Sequence, residues 1–281
     1  MNKTTGWLLV VAIAAGLTAA VVLIPGHEAP EQHTSALNEK TPAPTADNEP
    51  LRRFPVPESA ADTGAADTTT ATEPAKPLPS LQESDPALLE ALGRLFDPNR
   101  LGDLFVVKNL IKRLVVTIDN LPRAKLPLRY LPTNPPPGKF LVTKTAGGAT
   151  EIDPANYKRY TKFVRFVEGI NTQDIASVYF HFYPLFQEAY SDLGYKSAYF
   201  NDRLVEVIDH LLATPKVTEP VRLVQPSVFY KYADPRLESL SAGQKILIRI
   251  GNGNAAKLKA KLQELRDALV MHGRKTGAPP A

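Results

Sequence analysis

The sequence predicts a mainly α-helical protein, a single helical domain with a small β-hairpin, preceded by a transmembrane helix and a disordered linker. Three observations predict this class. An uncharged apolar stretch of 18 residues lies near the N-terminus, a proline-rich segment follows it, and residues 81–281 repeat the apolar spacing of amphipathic helices. The chain has no cysteine, which excludes disulfides, a lipid-modified N-terminal cysteine, and cysteine-based metal or nucleophile sites.

The apolar stretch covers residues 7–24 and is long enough to cross a bilayer as a helix. A cleaved secretory signal is the competing interpretation, but in the following "HEA" the bulky His27 precedes Ala29 at a position where processing prefers a small residue. Lys3 lies before the stretch and no Lys or Arg follows it until Lys40, so the positive-inside rule predicts cytoplasmic residues 1–6. We therefore expect a protein of the bacterial inner membrane with its C-terminal domain in the periplasm.

The linker is expected to span residues 25–80. It holds ten of the 26 prolines of the chain and one aromatic residue, Phe54, so it buries too little apolar surface to offset the entropy of ordering. The helical domain is expected over residues 81–272, and residues 273–281 are expected to form a disordered tail.

Helix-start residues and apolar periodicity predict the helices of the domain. Asp-Pro pairs recur as starts, because Asp caps the first turn and Pro suits its first position. Pro184 lies inside one pattern and is expected to kink or divide that helix. The predicted helices cover residues 84–96, 97–122, 153–170, 172–194, 201–212 and 254–271.

Two features supplement these helices. Residues 139–145 and 149–152 flank "AGG" and predict a small hairpin, with further short extended pieces at 221–226 and 227–234. The last helix carries Leu258, Leu262, Leu265 and Leu269 at an average spacing of 3.5 residues, which suits packing into the core or against a partner helix. The oligomeric state is left open.

Positive charge is concentrated in part of the domain. Residues 25–80 carry a net charge of −5 and residues 81–281 a net charge of +8, while residues 100–165 alone carry +9. Such a region either keeps the domain soluble and contacts the chain's own acidic linker, or it is a binding surface for an anionic lipid, wall polymer or envelope protein. A nucleic-acid partner is not expected, because the domain is predicted to lie outside the cytoplasm. The candidate binding residues are Lys158, Arg159, Lys162 and Arg165, with Lys108, Lys112 and Arg113 as a second cluster.

An acidic constellation provides the weak catalytic candidates. Asp202, Glu206, Asp209 and His210 share one predicted helix, and carboxylates beside an imidazole could hold a divalent cation or act as acid and base. The alternative is structural, with Asn201 or Asp202 capping the helix, Arg203 pairing with a carboxylate, and His210 favoured by the helix dipole. No established metal, nucleophile or phosphate-binding motif is present, so no cofactor is expected.

Several words of the sequence resemble one bacterial family. They include "SDPALLEALGRLF", "VVTIDNLPR", "YPLFQEAYSDLGYKSAYFNDRLVEVIDHLLATP" and "LESLSAGQKILIRIGNGNAAKLKAKLQELR". Over residues 80–270 these words resemble the domain-of-unknown-function family numbered 3014. The resemblance implies one envelope-facing domain after an N-terminal apolar segment and a linker, and it implies no activity or catalytic residue.

The sequence therefore predicts a membrane-anchored protein whose extracytoplasmic helical domain binds or scaffolds an anionic envelope component or a membrane-protein partner. The alternative is a metal-assisted or acid-base hydrolase acting on envelope material through the acidic constellation. An enzyme is the less expected of the two, because no catalytic motif accompanies those residues.

Overall fold

A computed structural model describes residues 52–56 and 77–276. Within these residues no helix combines the length and apolarity that a membrane crossing requires. The predicted transmembrane segment at 7–24, the predicted cytoplasmic residues 1–6 and most of the predicted linker lie outside the described residues.

The described part of the chain is mainly helical and contains ten α-helices. Two short 3₁₀ helices, Leu81–Glu83 and Leu128–Tyr130, complete the helical elements. The helices, in chain order, are α1 Ser84–Gly93, α2 Pro98–Leu104, α3 Leu110–Asn120, α4 Ala155–Arg159, α5 Thr161–Glu168, α6 Thr172–Asp192, α7 Phe200–Leu212, α8 Pro235–Glu238, α9 Ala242–Arg249 and α10 Asn252–Thr276.

The predicted helix start at Asp97 and Pro98 is confirmed, and Asp234 and Pro235, predicted to begin a turn, start a short helix in the same way. Asp97 accepts a hydrogen bond from the backbone N–H of Asn99 at the start of α2, and Asp234 accepts one from Arg236 at the start of α8, each at 2.9 Å. Proline follows both caps at a position that needs no backbone donor.

The second predicted helix, residues 97–122, is wrong as a single element because tertiary contacts divide it. The backbone of Phe105 forms an isolated bridge with Thr133, which belongs to a second proline-rich stretch, residues 122–137. Asp85 then caps α3, accepting from the N–H of Asn109 at 2.6 Å and of Leu110 at 2.9 Å. Ser84 or Asp85 was expected to cap the first helix, and Asp85 instead stabilises the start of the helix after next.

Two other helices also differ from their predicted form. The single helix expected at 153–170 is interrupted at Tyr160, which separates α4 from α5. The helix α6 runs without interruption through Pro184, so of the predicted kink or division the division does not occur.

The predicted hairpin is confirmed, and two further strands extend it into a four-stranded antiparallel sheet in the order β1-β2-β3-β4. Val142 lies opposite Ile152, and Leu223 lies opposite both Thr150 and Tyr232 on its two neighbours. Ile152, Leu223 and Tyr232 are buried together with Ile248 of α9, which gives the sheet its own small apolar core. The strands are β1 Val142–Lys144, β2 Thr150–Ile152, β3 Arg222–Val224 and β4 Lys231–Tyr232.

The main core is built around α10, which contacts α5, α6, α7 and α9. Its four regularly spaced leucines, 258, 262, 265 and 269, are 0–2% exposed. The core interpretation of their spacing is therefore confirmed, and these side chains are not available to a partner helix.

A short piece of the predicted linker has a defined position on the domain. Residues 52–56 lie against the start of α7, where Phe54 is half-buried and Val56 is buried. The prediction of a disordered linker is therefore wrong for these five residues. The contacts that hold them are described below.

Candidate functional site: a cationic cleft

The four principal candidate binding residues line one cleft of about 640 Å³. One wall is formed by α4 and α5, and the other by the proline-rich residues 133–137 together with the end of α2. The lining residues on the helical wall are Lys158, Arg159, Tyr160, Lys162, Phe163, Arg165 and Phe166.

The helical wall is fixed to the sheet by a buried amide. Asn156 is 0% exposed, and its Oδ1 accepts the backbone N–H of Leu141 at 2.9 Å while its Nδ2 donates back to the Leu141 carbonyl. Asp153 caps the start of α4 by accepting from the N–H of Ala155 at 2.8 Å. These contacts hold α4, and the cations that follow, in one orientation relative to β1.

Arg159 joins the two walls of the cleft. Its Nη2 donates to the carbonyl of Gly138 at 2.7 Å and its Nε to that of Pro137 at 3.2 Å, while Nη1 reaches Oδ1 of Asn156. The planar fork of a guanidinium suits such a set of acceptors. Arg159 therefore positions the proline wall, so its charge is engaged by the protein itself.

Lys158, Lys162 and Arg165 are different, because all three are exposed and none of them makes an ion pair with a described residue. They lie at i, i+4 and i+7 along the helical wall and so share its edge. With Arg159 the lining carries four cations, and Asp103 on the opposite wall is its one carboxylate, which gives a net charge of +3. The cleft is an anion-attracting site.

The floor of the cleft is apolar and aromatic. Phe163 is buried, and the half-buried ring of Phe166 packs against Phe96 and Phe105, with centroids 5.2 and 5.9 Å apart. Tyr160 is also buried, and burial raises the pKa of its phenol, while Arg249 and Arg159 lower that pKa in part. The arrangement therefore offers charge at the rim and an apolar surface below it.

The second predicted cluster does not line this cleft. Arg113 donates to the backbone carbonyls of Lys108, Arg129 and Leu131, at 2.9, 2.7 and 3.2 Å, so it holds the segment after α3 in place. Lys108 and Lys112 are exposed and form no ion pair within the described part of the chain. They are charge-matched to the lysines of the cleft and serve as its control.

The acidic constellation is dispersed among separate partners. Asp209 pairs with Arg266 of α10, and Glu206 pairs with Arg203 at 2.9 Å, the pairing that the structural alternative predicted. His210 shares a 2.8 Å hydrogen bond with Ser241 at the cap of α9. Among residues 52–56 and 77–276, no group of His, Asp and Glu is placed to hold a metal ion.

His210 also differs from the dipole expectation. Burial lowers the pKa of its imidazole below the ordinary value, Arg203 lowers it further, and Glu206 raises it in part. A helix C-terminus would favour the charged form of the imidazole, whereas burial disfavours it.

Asn201 and Asp202 have a role that the sequence did not indicate. The helix cap is Tyr199, without a side-chain cap bond, and neither Asn201 nor Asp202 caps the helix as expected. Instead both bind the backbone of residues 52–56. The available signal was Phe54, the one aromatic residue of the predicted linker.

The fold and the cleft define a helical domain with a small antiparallel sheet and a cationic surface depression. A family model described as "Protein of unknown function (DUF3014)" matches residues 110–266, and the chain belongs to this family. The match includes both walls of the cleft except the end of α2. Comparison with curated proteins and with solved structures gives no match.

Proposed function

We propose that this domain binds an anionic component of the cell envelope, and that an anionic lipid headgroup is the class that the cleft fits best. The observation that carries the proposal is the cleft itself, in which Lys158, Lys162 and Arg165 remain unpaired among the described residues above an apolar floor. In this proposal the predicted segment 7–24 anchors the protein in the inner membrane, with the domain in the periplasm.

Charge supports an anionic ligand. A cationic side chain near an anionic membrane surface contributes about 1 kcal/mol, and this contribution falls off within a Debye length. Three unpaired cations on one edge add their contributions at a single place, whereas cations with internal partners do not. The excess of nine positive charges over residues 100–165 supplies a longer-range attraction of the same sign.

The apolar floor favours an amphiphilic ligand over a fully hydrated anion. Phe163 and Phe166 lie below the cations, and Pro135, Pro136 and Pro137 form the facing wall. Pockets lined by apolar side chains with a few charged groups orient ligands that have both kinds of surface. A lipid headgroup with its glycerol and the start of its acyl chains has this character.

The hydrolase alternative gains no support from the geometry. Each member of its constellation is engaged by a different partner, and within the described part of the chain the four do not line a common cleft.

Co-sedimentation of residues 51–281 with vesicles tests the proposal. Vesicles of phosphatidylcholine alone are compared with vesicles that also contain phosphatidylglycerol, over a salt series. We expect binding to the anionic vesicles that weakens as salt rises and is lost when Lys158, Lys162 and Arg165 are replaced by Ala. Equal binding to both vesicle types, or binding that the triple variant retains, would contradict the proposal. Binding to isolated wall polymer without binding to vesicles would replace the lipid by a polymer ligand.

A further inference from the structure

The start of α7 binds a peptide backbone from another part of the chain. The carboxylate of Asp202 accepts the N–H of Arg53 at 3.0 Å through Oδ2 and the N–H of Phe54 at 2.8 Å through Oδ1. The amide Nδ2 of Asn201 donates to the carbonyl of Phe54 at 2.9 Å. Two adjacent side chains therefore satisfy three backbone groups of one short segment.

The receiving side chains are part of a fixed surface. Asn201 is 0% exposed and Asp202 is 8% exposed. Gln187 of α6 holds the preceding turn, because its Oε1 accepts the N–H of Phe200 at 2.9 Å and its Nε2 donates to the carbonyl of Ala198 at 2.8 Å. The segment is received by Tyr199, Asn201 and Asp202, and we call this surface the groove. The bonds of Gln187 do not involve residues 52–56, so they hold the groove without help from the segment that occupies it.

Asp202 has no cationic partner among the described residues. Its carboxylate is compensated by the two amide N–H groups and by its place in the first turn of α7, where the helix dipole favours negative charge. Backbone N–H groups that bind a carboxylate make strong, charge-assisted hydrogen bonds. The buried carboxylate is thus matched to a backbone ligand and not to a Lys or Arg.

Side chains of the segment add selectivity to this backbone contact. The guanidinium of Arg52 lies 4.3 Å from the centroid of the Tyr199 ring, a cation–π contact. Phe54 packs against the main core, and Val56 is 6% exposed. Arg53 contributes its backbone N–H to Asp202, while the residue is otherwise exposed. The pattern is a cation, any residue, an aromatic, proline and an aliphatic residue.

We propose that this groove is a peptide-recognition site for short segments of that pattern, and that residues 52–56 are its exchangeable ligand within the chain. A five-residue contact is small, and covalent attachment compensates because an intramolecular ligand can reach effective concentrations in the millimolar range. The same segment presented from outside therefore competes poorly with the internal copy, and its own binding is measurable only when that copy is removed. The proposal is independent of the cationic cleft, with which the groove shares no lining residue.

The test uses the full chain in detergent and a fluorescent peptide with the sequence of residues 51–57, "LRRFPVP". In one variant, residues 52–56 are replaced by Gly-Ser-Gly-Ser-Gly to vacate the groove. Anisotropy titration should show saturable binding to the vacated chain and at least tenfold weaker binding to the unchanged chain, whose groove is occupied. Adding Asp202→Ala to the vacated chain should weaken binding at least tenfold, whereas the exposed Glu206→Ala on the same helix should leave it unchanged.

Three results would overturn the proposal. They are no saturable binding to a vacated chain with an intact circular dichroism spectrum, equal binding of a scrambled peptide, and binding that Asp202→Ala does not change. Hydrogen exchange in the unchanged chain covers the case in which the vacated chain does not fold. The amides of Arg53 and Phe54 should exchange at least tenfold more slowly than in an unstructured peptide. They should lose that protection in Asp202→Ala. Unprotected amides in the unchanged chain would also overturn the proposal.

Discussion

Arg159 donates from Nη2 to the carbonyl of Gly138 at 2.7 Å and thereby ties the proline wall of the cleft to the helical wall that carries the candidate cations. Its contribution is geometric as well as electrostatic, because its three hydrogen bonds join Pro137 and Gly138 of one wall to Asn156 of the other. The shape of the cleft therefore depends on a guanidinium and not on a positive charge alone.

The substitution Arg159→Lys separates these two contributions. It keeps the net charge but removes the fork that reaches Pro137, Gly138 and Asn156, so we expect binding to anionic vesicles to weaken about tenfold. Lys112→Arg is the matched control, since Lys112 is exposed, lies outside the cleft and makes no ion pair with a described residue. Unchanged binding by Arg159→Lys would show that the geometry of the proline wall does not matter.

A buried ion pair joins α3 to α7. Asp119 is 3% exposed, and it accepts from Nε of Arg203 at 3.0 Å and from Nη2 of Arg123 at 2.9 Å. We expect Arg203→Met to lower the free energy of unfolding by about 3 kcal/mol, the lower end for a broken buried pair, because Arg123 still compensates the carboxylate.

Urea denaturation measures that loss. The exposed Glu206→Gln, which removes the other partner of Arg203, should change the unfolding free energy by less than about 1 kcal/mol. A loss below 1 kcal/mol for Arg203→Met would show that Asp119 is adequately solvated without it.

Gly251 has a left-handed backbone conformation between α9 and α10. Its φ is +88°, and a Cβ added there would lie 2.7 Å from the ring of Tyr157. Strain and overpacking each cost about 1–3 kcal/mol, so we expect Gly251→Ala to lower stability by about 3 kcal/mol. Gly253→Ala is the control, since its Cβ would meet nothing within 4 Å and the substitution favours α10. Equal thermal midpoints for the two variants would contradict this account.

His210 should make stability depend on pH. Burial lowers its folded-state pKa, so between the unfolded value of about 6.5 and the lower folded value the unfolded chain binds more protons. The stabilisation is complete above about 6.5 and is lost as pH falls through that window. The unfolding free energy of the unchanged chain should fall more steeply between pH 7.5 and 5 than that of His210→Gln, and identical slopes would exclude the effect.

The sequence predicted the features that depend on local pattern. The Asp-Pro starts, the hairpin around "AGG" and the buried leucines of α10 each follow from neighbouring residues along the chain. The helical row of Lys158, Lys162 and Arg165 was found in the same way, because i, i+4 and i+7 define one edge.

What the sequence did not predict depends on distant partners. The division between α2 and α3 requires the bridge from Phe105 to Thr133, and the role of Asp202 requires residues 52–56, which lie about 150 positions away. Neither partner leaves a periodic signal in its own segment. The proline wall is a similar case. The six prolines of residues 122–137 indicate irregular structure, but they do not indicate the side of the domain on which this stretch lies.

Two double variants of equal charge test whether the cleft itself binds anions. Lys158→Ala with Lys162→Ala changes the cleft, while Lys108→Ala with Lys112→Ala removes the same charge from exposed positions that do not line it. Co-sedimentation with phosphatidylglycerol vesicles at low salt should show binding reduced at least tenfold for the cleft variant and less than threefold for the control. Equal losses for the two variants would show that net charge, and not the cleft, attracts the membrane.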